Sequence, residues 1–129
     1  MDREIDKVSG IIVDAAMKLH MRVGPGLLES VYETLLAQEL RRRGLKVDRQ
    51  QSVAFELEGF RFDDGFRVDL LVESQIVVEL KSVEKLAPVH SKQLLTYLKV
   101  ADKRLGLLIN FGEVLIKNGI TRVANNLRE

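Results

Sequence analysis

Arg67-Val68-Asp69-Leu70-Leu71-Val72-Glu73-Ser74-Gln75-Ile76-Val77-Val78-Glu79-Leu80-Lys81-Ser82 is the stretch on which the reading of this chain turns. Residues 67–73 and 76–82 are short runs rich in β-branched side chains on either side of a polar break at Ser74, a pattern that predicts a β-hairpin. With the turn centred on Ser74, Asp69 faces Glu79 and Arg67 faces Lys81. Val68, Leu70, Val72, Ile76, Val78 and Leu80 then share the opposite face as an apolar layer. A slip of one residue would set Asp69 against Leu80 and scramble both faces, so the apolar pattern itself selects the register.

Two acids on adjacent strands, with a lysine two residues after the second, can bring carboxylate oxygens and an ammonium to one point above a sheet. Hard divalent cations take such oxygens. Mg²⁺ in particular uses one or two protein carboxylates and completes its octahedron with water and phosphate oxygens. In that setting the metal acidifies a bound water and offsets phosphoryl charge, while Lys81 orients the water or stabilises developing negative charge. The competing reading is a solvated charged face on which Asp69, Glu79 and Lys81 merely pair across strands. Exposed charges are commonplace and an acid followed by Glu-x-Lys recurs by accident, so on these residues alone the solvated face is the commoner explanation.

Working outward, residues 4–22 carry Ile5, Val8, Ile12, Ala15, Ala16 and Leu19 at helical spacing, and Gly24-Pro25-Gly26 ends that pattern. A second helix is expected over residues 27–43, with a stripe of Leu28, Val31, Leu35 and Leu40 and a stop at Gly44. From Val47 the period changes to two, with Val53, Phe55 and Leu57 alternating against polar residues up to Gly59. Beyond the central hairpin, Pro88 opens a helix running to about Ala101, and residues 105–111 form an apolar strand. In the tail, Val114, Leu115 and Ile116, then Asn118-Gly119, then Ile120 and Val123 suggest another hairpin. The fold class is α/β or α+β, a small mixed sheet flanked by helices.

The 129 residues, 46% of them hydrophobic, suit one domain spanning 1–129 with a single packed core. Twenty Lys and Arg against 19 Asp and Glu leave a net charge of +1, so no global field draws the chain to nucleic acid. The absence of cysteine excludes disulfides and thiolate metal sites and suits a reducing cytoplasm. The charged N-terminus is unlike a signal peptide, no apolar run is long enough to span a membrane, and no membrane partner is expected.

The chain resembles the GxxExxY proteins, a compact branch of the PD-(D/E)XK nuclease superfamily. The resemblance rests on Gly26-Leu27-Leu28-Glu29-Ser30-Val31-Tyr32, on Asp69 within Val68-Asp69-Leu70-Leu71-Val72, and on Val78-Glu79-Leu80-Lys81. Gln93-Leu94-Leu95-Thr96-Tyr97 and Gly106-Leu107-Leu108-Ile109-Asn110-Phe111 complete it, over about residues 5–123. It implies a restriction-endonuclease-like core and a Mg²⁺- or Mn²⁺-dependent nuclease acting on nucleic acid, DNA being the expected substrate. Asp69, Glu79, Lys81 and Glu29 would be catalytic, with Asp69, Glu79, Glu29 and Leu80 around the metal and Gln93 and Tyr97 binding substrate or ordering the site. Nucleases of this type often work as homodimers. The rival reading is a non-catalytic module, binding nucleic acid or protein on the same scaffold.

Glu29 in a first helical turn is already favourable to the helix dipole; the resemblance is what turns the balance toward metal, with Glu33 one turn on as a substitute or supporting partner. Tyr32 reads as a half-buried packing residue, and His20 and His90 as capping or packing residues rather than ligands. Arg41, Arg42, Arg43, Lys46 and Arg49 form the densest basic cluster; cations are stabilised at a helix C-terminus in any case, so contact with phosphates is the lesser reading.

Overall fold

The computed structural model describes residues 3–127. Among the described residues, three α-helices, α1 (Arg3–Val23), α2 (Glu29–Arg42) and α3 (Pro88–Ala101), accompany five strands: β1 (Val47–Leu57), β2 (Phe60–Val72), β3 (Ile76–Lys81), β4 (Leu105–Asn110) and β5 (Ile120–Ala124). The strands form one sheet in sequence order, antiparallel except between β3 and β4, where α3 makes the crossover that a parallel pair requires. No helix among the described residues is long and apolar enough to cross a membrane.

Helix packing splits the apolar residues into two clusters. Ile5, Val8, Ile12 and Leu19 of α1, with Tyr32, Leu36 and Leu40 of α2, cover Leu70, Val78, Leu80, Leu107 and Ile109. On the other side Leu94 and Leu98 of α3 pack on Val68, Val77 and Leu108. Strands β3 and β4 are therefore apolar on both faces, as expected of a parallel pair buried between layers.

The central hairpin adopts the expected register, with Leu70 opposite Val78, Leu71 opposite Val77 and Val72 opposite Ile76. Val68 departs from expectation, packing with the α3 cluster rather than with Leu70. The strict alternation fails at Asp69, whose neighbour across the β1 ladder, Gln50, takes a left-handed backbone at φ 48. Helix α2 is rolled from its expected stripe: Tyr32 is fully buried, whereas Leu28 is 73% exposed and Val31 38%. Strand β2 is longer than the sequence pattern indicated, because residues 60–66 pair with β1 through a two-residue Glu58-Gly59 turn with φ of 52 and 82. The expected tail hairpin does not form. Ile116–Gly119 is a short 3₁₀ turn with Ile116 in the core, and β5 finds its partner in the already ordered β4 instead.

Candidate active site

Below the Leu70–Val78 pair the side chains of Asp69 and Glu79 take over from the ladder. The Asp69 N–H donates to Glu79 Oε2 at 2.8 Å, and the Leu80 N–H donates to Asp69 Oδ2 at 2.8 Å. Each carboxylate thus occupies a position where a main-chain carbonyl would ordinarily accept, and each is aimed by the strand opposite its own. The two acids that the register placed face to face are locked together by backbone donors, an arrangement a solvated charged face would not require.

Electrostatically the pair lacks sufficient positive charge. Burial is the chief reason that the Glu79 carboxyl is pushed up to about 7, and the Asp69 charge adds to it. The Asp69 N–H and Lys81 offset this only in part, and Glu29 raises it further. Asp69 is also raised, first by burial, with the Leu80 N–H opposing and the charges of Glu33 and Glu29 contributing. Tyr97 on α3 is raised by burial and then by the same two acids, which places its hydroxyl in their field.

Glu29 is the first residue of α2 and is exposed, on the rim of a cleft of about 720 Å³ that it shares with residues including Gly26, Leu27, Ser82 and Glu84. Its charge reaches both Asp69 and Glu79, but it makes no third member of a closed cage: among the described residues no three His, Cys, Asp or Glu form a metal-holding group. Gln93 lies exposed on α3, one turn before Tyr97. The donor chemistry nonetheless fits a hard divalent cation, because two adjacent, half-buried carboxylates are what Mg²⁺ or Mn²⁺ binds when water and substrate supply the remaining oxygens.

Glu33 was expected as a supporting partner, whereas Gln50 and the support from Asn110 were not. Gln50 Nε2 donates to Glu33 Oε1 at 2.5 Å and to Asp69 Oδ1 at 3.3 Å, while Arg49 Nε donates to Glu33 Oε2 at 3.0 Å. Glu33 is buried and paired with Arg49; Gln50 links it to Asp69 by hydrogen bonds, and its charge still acts on Asp69. Asn110, fully buried, accepts from the N–H groups of Val83 and Gly112 and donates to the Val83 carbonyl, pinning the segment just after Lys81 to the end of β4. A polar residue closing the apolar run of residues 105–109 was the one available signal.

Tyr32 is more deeply buried than expected and is structural. Its hydroxyl donates to the Gly24 carbonyl at 2.6 Å and accepts from the Leu27 N–H at 3.1 Å, and its ring stacks on Phe111 at 4.3 Å. Ser82 Oγ donates to the Leu27 carbonyl at 2.6 Å, so the loop preceding Glu29 is tied to the end of β3. The basic cluster is paired within the chain: Arg41 donates to the Val47 carbonyl, Arg42 and Arg43 pair with Glu39, Arg43 also with Asp14, Lys46 with Asp48 and Arg49 with Glu33, Arg42 and Lys46 staying largely exposed. His20 contacts the Glu113 carbonyl and His90 accepts the Ala87 N–H as a cap.

A mixed sheet flanked by helices, with paired acids on neighbouring strands and a lysine two residues beyond the second, defines the class of nuclease-like α+β domains. The family model of the PD-(D/E)XK nuclease superfamily matches residues 6–123, and the chain belongs to that superfamily. Searches of curated proteins and of solved structures returned no match.

Proposed function

We propose that this chain is a Mg²⁺- or Mn²⁺-dependent nuclease of the GxxExxY branch, a single domain that hydrolyses phosphodiester bonds, with DNA as the expected substrate. The observation that carries the reading is the reciprocal capture of Asp69 and Glu79 by backbone N–H groups of the opposite strand, which pre-orients two carboxylates at the cost of their repulsion. Asp69 and Glu79 would hold the cation, with the Leu80 main-chain oxygen and Glu29 as further oxygen donors. When bound, the cation supplies a polarising charge that acidifies water and offsets charge on phosphate oxygens. Lys81 cannot be a ligand, since an ammonium has donors only; it holds the attacking water or stabilises the developing negative charge. Tyr97, whose hydroxyl lies in the field of the two acids, and Gln93 one turn before it would contact substrate or order the site.

The test is cleavage of labelled DNA and RNA strands and duplexes with Mg²⁺, with Mn²⁺ and with EDTA, comparing wild type with Asp69→Asn. Asparagine retains an oxygen for the Leu80 N–H while removing the charge. Cleavage that survives EDTA, or survives Asp69→Asn, would sink the proposal.

A further inference from the structure

The outer half of the β1–β2 hairpin touches the core only at its base, where Val53 and Phe66 pack against the α3 cluster, and its tip lies beyond it. Val53 pairs with Phe66, Phe55 with Phe62 and Leu57 with Phe60; opposed residues, and residues two apart on a strand, share a face. Ring contacts make the row continuous. Tyr97 stacks on Phe66 at 4.2 Å, Phe66 lies 6.1 Å from Phe55, and Phe55 lies 5.2 Å from Phe62. The row begins at Tyr97, beside the acidic pair, and ends in solvent, where Phe62 is 45% exposed, Leu57 59% and Phe60 69%. An irregularity in the register between Val53 and Phe55 absorbs residues 63–65 and keeps Phe62 and Phe66 on one side. Gly65 is required there, because a Cβ would run into the Phe55 ring.

The charges of the hairpin lie on its reverse. Glu56 is opposite Arg61, Arg61 pairs with Asp63, and Asp64 accepts from Ser52, which points away from Val53. The aromatic face is therefore clear of these carboxylates, although the hairpin as a whole is acidic. A duplex hides the faces of its bases and offers a row of phenyl rings only scattered apolar contacts at the groove edges, and most of the basic cluster that could have tracked phosphates is engaged in ion pairs within the chain. Unpaired bases present π-faces, which such rings bind irrespective of sequence. A second copy docked on this face would lie over Tyr97 and the approach to the acids.

We infer that the aromatic face of the hairpin is a stacking platform for unpaired nucleotides, on which a single strand leaving the Asp69–Glu79 site passes Tyr97 and lays its bases on Phe62 and Phe60. The inference rests on the nuclease reading and specifies its substrate as single-stranded nucleic acid. It is tested by fluorescence anisotropy with labelled single-stranded, abasic and blunt duplex oligonucleotides, in an Asp69→Asn background to prevent cleavage. Replacing Phe60 or Phe62 by Ala removes a solvent-facing ring, and each should weaken single-strand binding about ten-fold. The loss should vanish on the abasic strand and on the duplex. Equal losses on the abasic strand, or none on any strand, would overturn the platform. So would a loss of self-association in sedimentation with nucleic-acid affinity retained, which would make the face a contact between copies. If the wild-type chain neither binds nor cleaves any strand while remaining folded, the nuclease reading itself fails, and the platform with it.

Discussion

Glu79→Gln in metal-free buffer isolates the electrostatic cost of building this site. Glutamine retains an oxygen to accept the Asp69 N–H that Glu79 now holds at 2.8 Å, so the substitution removes charge and little else. With the Glu79 carboxyl lifted from 4.5 to about 7, the folded chain keeps a proton through that window which the unfolded chain has already released. Stability therefore falls as pH rises from 4.5 through 7, the direction opposite to that of a salt-bridged acid. The full shift corresponds to about 3 kcal/mol, and partial exposure of the side chain reduces this to about 1–2 kcal/mol. Urea denaturation between pH 5 and 8 in EDTA should show the variant gaining that amount on wild type as pH rises, with no gain at the acid end. Saturating Mg²⁺ should reverse the order, stabilising wild type and leaving the variant unmoved. Parallel pH profiles for the two proteins would refute the claim that Glu79 pays a charge penalty in the fold.

Four further substitutions probe the surroundings. Lys81→Ala should slow cleavage while leaving Mn²⁺ affinity in calorimetry unchanged, and a collapse of metal affinity would mean its role is misassigned. Glu29→Gln should raise the Mg²⁺ concentration for half-maximal cleavage and shrink the metal-induced rise in melting temperature, whereas a pure dipole role predicts only a loss of up to about 1 kcal/mol of stability without metal. Gln50→Gly relieves a left-handed backbone and deletes the amide that links Glu33 to Asp69, so stability should stay within about 1 kcal/mol of wild type while Mn²⁺ binding weakens. Asn110→Ala strips three hydrogen bonds from a buried segment and should cost about 2–4 kcal/mol in chemical denaturation.

The central hairpin was legible because the apolar layer of Leu70, Val72, Ile76, Val78 and Leu80 fits only one register, even though Val68 and Val77 are buried on the other face, and that register brings Asp69 opposite Glu79. The α1 stripe was legible for the same reason, every expected position of it being buried. Reading failed where the deciding partner was distant in sequence. The roll of α2 is set by Tyr32, whose hydroxyl is anchored in the Gly24–Leu27 loop and whose ring is stacked on Phe111; no helical periodicity encodes that contact. Strand β5 pairs with β4 because β4 offers an ordered edge, whereas residues 114–116 would have had to supply a new one. The strand at residues 60–66 was missed because residues 60–65 are exposed and have no core to alternate against.

Those failures bear on the site as well. The hairpin register set Asp69 opposite Glu79 and the family resemblance made them candidates, but the groups that aim them could not be read, since the donors are backbone N–H groups and a Gln50 amide visible only once β1 is seated beside β2. The same reasoning explains why the acids need the fold more than the fold needs them. A ladder position filled by carboxylates saves no hydrogen bond that a main-chain carbonyl could not have supplied, yet it adds burial and repulsion that raise both groups. An arrangement that costs stability without a bound charge is what a site selected for metal would show, and a cation would then recover that stability; a structural ion pair would instead have brought Lys81 into contact with Glu79. The outer hairpin repeats the pattern in apolar form, exposing Phe60 and Phe62 at the end of a row of rings that leads back to the acids.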